Sequence, residues 1–389
     1  MRPREVVAIA LALAVAVCAG DRARNGSTLH AQVRTTPGTV VPVPAPSVSL
    51  AVCPAPSRLM QWPSSTNPVW EFCFNAPSVS SGPNGSGLEI YNVYYNGHLV
   101  FKRAHVPILN VLYAPGGCGC FRDWAYSEVS FQADNVITGG LGGYAEPTSP
   151  PQTVCDTGGT HGDVGTFTGV AAEKLSDRLI LTTQFLAGWY RYTMKWRFFL
   201  DGRIEPWFGF AARNTSSCVQ YNHTHHVYWR FDFDIDGAIK DQVLEEPKRD
   251  RGGTLPTGTL LASELLRLTN NPGGSWVIRD AARNSTRGYR VIPGPEADLV
   301  ADSFAVGDAW FLKYKPTEID DSGQSGPSCA IKFNNYLNNE DINGTDVVMW
   351  YRGGVFHEGA DLDDCHKIGP TLMPVGDWSR TPPPLAAAK

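Results

Sequence analysis

Residues 188–237 read GWYRYTMKWRFFLDGRIEPWFGFAARNTSSCVQYNHTHHVYWRFDFDIDG, and the reading of the whole chain hangs on them. A strand-like run carrying Tyr190 turns at Asp201-Gly202 into a second run, which predicts the hairpin Tyr190–Phe199 / Arg203–Phe210. A further strand opens with His223-Thr224-His225. Residues two apart on a strand face the same side, about 6.5–7 Å apart. Two imidazoles so placed can converge on one metal ion, whereas His226 faces the other side.

The rest of the chain supports a β-rich domain. With 389 residues, 42% hydrophobic and 18% charged, it can bury one large core or two smaller ones. Abundant Gly (39) and Pro (29) fit many turns. Val69–Phe74 reads as a strand, and Asn96-Gly97 joins the alternating run 87–95 to His98–Phe101 as a hairpin. Residues 116–169 read as long irregular loops, Ser263–Leu268 as a short helix, and 346–356 as a buried strand ending at His357. The fold class expected is all-β, a large antiparallel β-sandwich.

The N-terminus predicts the compartment. Arg2 and Arg4 precede the apolar run Val6–Val17 and the small residues Ala19-Gly20, the pattern of a signal peptide over 1–20. A Pro/Thr/Ser-rich linker follows over 21–55, and the folded domain is expected over 56–389. A secreted, extracellular chain without a membrane span is the expectation. Eight cysteines lie beyond Cys18 (residues 53, 73, 118, 120, 155, 218, 329 and 365), and an even number in that setting favours disulfides over a Cys118-Gly119-Cys120 metal site. Sequons at Asn25, Asn84, Asn214, Asn222, Asn284 and Asn343 fit a glycoprotein. A net charge of −5 without a basic, aromatic-interleaved stripe argues against a nucleic-acid partner.

Four motifs in one order resemble the catalytic domain of the copper amine oxidases. Tyr190, Tyr192, Trp196 and Asp201-Gly202 fall where that family has its quinone-precursor tyrosine and the residues after it. His223, His225, Arg230 and Asp232 match its copper strand. Asp346–His357 (DVVMWYRGGVFH) is similar to the segment ending in its third copper histidine. The ending LMPVGDWSRTP over 372–382 resembles its closing motif.

The resemblance, covering roughly 62–383, implies oxidation of a small primary amine by oxygen through copper and a topaquinone formed from Tyr190. It implies copper on His223, His225 and His357. Tyr113 falls where the family has the tyrosine that hydrogen-bonds the quinone. Asp232, Asp234 and Asp346, with main-chain carbonyls of Phe233 and Val347, fall at a second site for calcium or a similar divalent ion. A homodimer is the family's usual state. Three neutral imidazoles suit copper(II), and carboxylates with carbonyls suit a hard ion.

The sequence departs from the family at the chemistry itself. The family's aspartate base, fourteen residues beyond the tyrosine, lands on Ser127, and serine is too weak a base for that work. Asp123 and Glu128 are the carboxylates near enough to replace it. Trp189 stands for the family's asparagine before the precursor tyrosine, and Arg191 for its acidic residue after it. Two readings therefore remain: an active copper amine oxidase, and a non-catalytic copper-binding relative serving as an extracellular binding module.

Overall fold

The structure is a computed structural model. It describes residues 49–380 apart from 83, 115–116, 124, 158–162, 213–215, 248–257, 268–273, 283–284, 295–306, 320–334 and 360–364. The signal-peptide segment, most of the linker, Cys329 and the sequons Asn25, Asn214 and Asn284 lie outside the described residues.

The described residues form two large sheets, one of nine strands and one of thirteen. Pairing is antiparallel except where Tyr144–Ala145 runs parallel to Val170–Lys174. Helix among these residues is confined to short 3-10 turns, Pro77–Val79 and Ser217–Gln220 among them, and no helix is long and apolar enough to cross a membrane. The all-β expectation holds.

The two sheets share one interior. Large aromatics from both are buried there, and their indole N–H groups are satisfied across the gap: Trp70 Nε1 donates to the Phe199 carbonyl at 2.7 Å and Trp196 Nε1 to the Leu88 carbonyl at 3.1 Å. Such rings bury much apolar area while their one polar group finds a partner, which keeps the burial favourable.

The expected hairpins form. Glu89–Tyr95 turns through Asn96-Gly97 into His98–Tyr113, with both turn residues at positive φ. Tyr190–Phe199 pairs with Ile204–Ala212 across the Asp201-Gly202 turn. Gly202 sits at φ +87, and a Cβ there would meet the Tyr95 ring at 2.6 Å, so the backbone approaches that ring as only glycine allows.

Other expectations change. The expected helix at Ser263–Leu268 is not formed: Ser263 bridges to Asp341 and Leu265–Arg267 is a strand paired with Ala309–Lys313. Glu264 sets this extended path, because its carboxylate accepts the main-chain amides of Lys313 and Asn338. The irregular 116–169 region contains short strands, Cys120–Asp123 and Ser127–Glu128 among them. Packing begins ahead of residue 56, since Ala51 is buried and Cys53 is bonded to Cys73.

Disulfides Cys53–Cys73, Cys118–Cys218 and Cys155–Cys365 are formed, and Cys120 is also disulfide-bonded, so the Cys-Gly-Cys segment is no metal site.

Candidate functional site

Register, more than sequence spacing, assembles the site. In the nine-stranded sheet the His223–Phe233 strand lies between His98–Tyr113 and Val347–His357. His223 pairs directly with Tyr113 on one side and with His357 on the other. Three site residues thus sit abreast at one end of the sheet, and His225 follows two positions along. The Cys118–Cys218 bridge ties the chain just beyond Tyr113 to the chain just before His223.

The facing sheet brings the tyrosines. Tyr190 and Tyr192 point inward together, and Phe210, the cross-strand partner of Tyr192, stacks on the His225 ring at 3.7 Å. Arg191, between them in sequence, lies on the strand's other face, where it is buried and pairs with Asp163. Alternation along the strand puts the Arg191 cation on the face opposite the two tyrosine rings.

At the centre, Tyr190 Oη lies 2.6 Å from His223 Nε2 and 3.3 Å from His357 Nδ1, and those two nitrogens are 3.0 Å apart. Ligand atoms of His223, His225 and His357 all fall within 4.8 Å of one another, and all three side chains are buried. His223 Nδ1 faces the Tyr221 carbonyl at 2.6 Å, which fixes that nitrogen as the N–H and turns the Nε2 lone pair inward. His225 Nδ1 meets Tyr192 Oη at 3.1 Å, while its buried Nε2 takes no hydrogen bond.

Burial pushes the His223 imidazole down to about 4 and His225 well below its ordinary value, with the neighbouring imidazoles adding to the effect. Both are therefore neutral at pH 7, as metal ligation requires. An unpartnered buried nitrogen beside two convergent lone pairs is a donor set that fits copper(II). His226 lies across the sheet, where Arg352 Nη1 approaches its Nδ1 at 3.0 Å. Arg352 also binds Asp308 and the Gly307 carbonyl, so this group is a buried structural network.

Beside Tyr190 is a cavity of about 150 Å3 lined by Val111, Tyr113, Phe121, Asp123, Ala187, Gly188, Trp189 and Tyr190. Asp123 reaches it because Cys120–Asp123 pairs with His98–Tyr113, setting Asp123 opposite Leu109 and Phe121 opposite Val111. Its Oδ2 accepts from Tyr192 Oη at 2.8 Å. Burial pushes the Asp123 carboxyl up to about 6, against the lowering effect of the Tyr192 hydrogen bond.

Ser127, where fourteen residues of spacing put the base, pairs instead with Leu186 and does not line the cavity. Glu128 is occupied structurally, accepting from the Ser78 amide, the Ser78 hydroxyl and the Gly142 amide. Tyr113 stacks on His223 with ring centres 4.7 Å apart and accepts a 2.9 Å hydrogen bond from Trp189 Nε1. Burial raises the Tyr113 and Tyr190 phenols well above their usual range, so both keep their protons at neutral pH.

The acidic group also assembles. Ligand atoms of Asp232, Asp234 and Asp346 lie within 4.8 Å of one another, and one oxygen of each is buried without a hydrogen bond. Phe233 and Val347 are direct cross-strand partners beside them. Arg230 partly neutralises Asp232. Burial first, then Asp232, pushes Asp234 up to about 7, and burial with both neighbours raises Asp346 to about 8. Carboxylates crowded so closely with one arginine fit a divalent cation. Sequence reading missed Asp241, a fully buried neighbour of Asp234 and Asp346, because nothing in local spacing marks it.

No protein-family model matches the chain. It is 32% identical over 187 residues to primary amine oxidase 2 of Arabidopsis thaliana, covering 42% of this chain and 26% of that protein. It is 26% identical over 264 residues to a primary amine oxidase of Arthrobacter sp. (strain P1), covering 55% and 40%. The chain thus spans well under half the length of these relatives. In structure it is similar to a copper-containing benzylamine oxidase from Hansenula polymorpha, with a TM-score of 0.52, 14% identity, and 87% of this chain and 64% of that one covered.

A large antiparallel sandwich holding a buried histidine triad against a tyrosine strand is the class of protein that fold and site define. Specifically, the chain carries a divergent copper amine oxidase-like domain.

Proposed function

We propose that this chain is a secreted oxidase of small primary amines, holding copper on His223, His225 and His357 and carrying a quinone derived from Tyr190. The observation that carries the reading is one convergence. Asp123 and Tyr190 share the wall of a single cavity, and the Tyr190 hydroxyl lies 2.6 Å from His223 Nε2. Base, precursor ring and metal donors thereby meet at one place. Kinship with proteins named as primary amine oxidases supports the substrate class, and the disulfides suit an oxidising compartment.

When bound, copper and the quinone would supply the two-electron oxidation of the amine and the return of those electrons to oxygen. The chain's own residues supply the rest. Asp123, with its carboxyl raised to about 6, is largely ionised at pH 7 yet basic enough to take the proton from the carbon bearing the nitrogen. Tyr192 holds one Asp123 oxygen and so fixes the carboxylate against rotation. Tyr113, protonated at neutral pH, stacks on His223 and keeps its hydroxyl at the cavity. Val111, Phe121 and Ala187 make the remaining wall apolar and exclude water. Asp232, Asp234 and Asp346, with the carbonyls of Phe233 and Val347, would hold calcium or a similar ion, and a homodimer is the proposed assembly.

One observation favours the second reading, a copper-binding relative without catalysis. The Trp189 indole donates to the Tyr113 hydroxyl that the family resemblance assigns to the quinone, which tethers that phenol to the turn while leaving its own proton to donate. Incubating the purified chain with copper(II) and oxygen decides between them. A visible quinone absorption that shifts with phenylhydrazine is expected; a colourless, unreactive, copper-loaded protein overturns the oxidase reading.

A further inference from the structure

The cavity beside Tyr190 has an unusual lining. Four of its walls are aromatic rings (Tyr113, Phe121, Trp189 and Tyr190), and its one charged group is the Asp123 carboxylate. Phe121 stands edge-to-face against both Trp189, at 5.2 Å and 87°, and Tyr113, at 5.9 Å and 89°. The rings therefore close around the space from perpendicular directions.

Trp189 has its place for a local reason. Ala187 pairs with Tyr190, so Gly188 and Trp189 alone form the hairpin turn. Gly188 takes φ +56 without cost and is exposed, whereas Trp189 is half-buried and packs against the core. The hydrogen bond from its indole to Tyr113 then fixes the ring in the cavity wall.

We propose that this cavity is an aromatic cage selecting a compact, apolar primary monoammonium ion, with Trp189 as the specificity-determining wall. Aromatic faces attract a cation through their quadrupoles, and a desolvated site strengthens the attraction. Asp123 supplies the counter-charge and defines where the nitrogen sits. A volume of about 150 Å3 is worth about five waters of liquid, room for one small ring or a short chain. A diamine brings a second ammonium that meets no further acid among these lining residues, so its desolvation goes uncompensated. Trp189 keeps that second charge from reaching solvent past Gly188. Turnover of the caged amine rests on the oxidase reading; the cage itself does not.

The test separates the two. Copper-loaded full-length Tyr190→Phe protein keeps a ring at 190 but has no phenol to process. Isothermal titration with benzylammonium and with 1,4-diaminobutane at pH 8 should give tighter binding of benzylammonium, by tenfold or more. Trp189→Ala in that background should weaken benzylammonium roughly 2- to 30-fold, the span of one cation–π contact, and narrow the preference. Trp189→Phe, which keeps a ring and loses the N–H, should retain the preference and guards against a folding defect. Equal affinity for both amines, no binding at all, or a preference unmoved by Trp189→Ala would overturn the cage. Peroxide release by the unsubstituted chain is then read separately. Selective binding without peroxide sinks the oxidase reading and leaves the cage standing, whereas peroxide formed preferentially from the diamine does the reverse.

Discussion

Replacing Asp123 by Asn, set beside Ser127→Ala, tests the assignment of the base most sharply. Counting along the chain puts the base at Ser127, whereas the proposed function assigns that role to Asp123. Asp123 lines the cavity with Tyr190 and is held by Tyr192 at 2.8 Å. Ser127 lies in a short strand against Leu186, outside that cavity. General-base catalysis contributes about 10²–10⁴-fold, which is roughly 2.7–5.5 kcal/mol at 1.36 kcal/mol per decade. Asp123→Asn should therefore reduce kcat/KM for benzylamine by that factor, while Ser127→Ala should stay within about 0.5 kcal/mol of the parent in stability and near it in rate.

The pH dependence has a definite sign. The folded carboxyl is raised to about 6, so the base is charged, and the rate present, above that value, and the rate falls as pH drops through it. The same shift costs stability: the cost is absent below the unfolded value near 4, grows between 4 and 6, and is full above 6. Asp123→Asn removes it, so the variant should melt higher than the parent at pH 8 while losing activity. Steady-state peroxide assays, phenylhydrazine titration to count quinone, and thermal melts at pH 5 and 8 make the measurement. An Asp123→Asn variant that keeps more than a tenth of parental kcat/KM at equal quinone content, or a Ser127→Ala variant equally crippled, would refute the reasoning.

Three further outcomes are expected. His225→Ala should lose tight copper, read by metal analysis after dialysis, because its Nε2 is the buried donor without a partner; unchanged stoichiometry would remove the site assignment. Calcium at about 100 times its dissociation constant should stabilise the chain by about 2.7 kcal/mol in denaturant melts, and Asp234→Asn should abolish the effect; identical melts with calcium and with chelator would show that the carboxylates of Asp232, Asp234 and Asp346 hold no ion. Asp308→Ala should destabilise by about 3–5 kcal/mol, because it strands the buried Arg352 guanidinium beside His226; a loss below about 1 kcal/mol in urea titration would contradict that network.

Which parts of this were legible in the sequence follows from how local each cause is. The hairpins were readable because Asn96-Gly97 and Asp201-Gly202 encode their turns in adjacent residues. His223 and His225 were readable because a two-residue spacing on a strand fixes a shared face. His226 followed from the same rule, and so could Arg191, whose side chain alternation sends to the other face, against Asp163. The strand at Leu265–Arg267 was not readable, because what holds it extended is Glu264 accepting amides from Lys313 and Asn338, some fifty and seventy residues on.

The carboxylate at the cavity, four residues before the position that counting indicates, is the most instructive case. A count of fourteen residues from Tyr113 assumes an unchanged connection between two strands, and this chain makes that connection with its own length. Cross-strand register is indifferent to connection length: Leu112 pairs with Cys120, and each further step brings the next residue inward until Asp123 lies opposite Leu109. The carboxylate thereby arrives at the wall of the cavity ten residues after Tyr113. An offset carried across a turn is weak evidence for a catalytic residue, whereas an offset carried along a strand, as with His223 and His225, survives because the pleat itself enforces it.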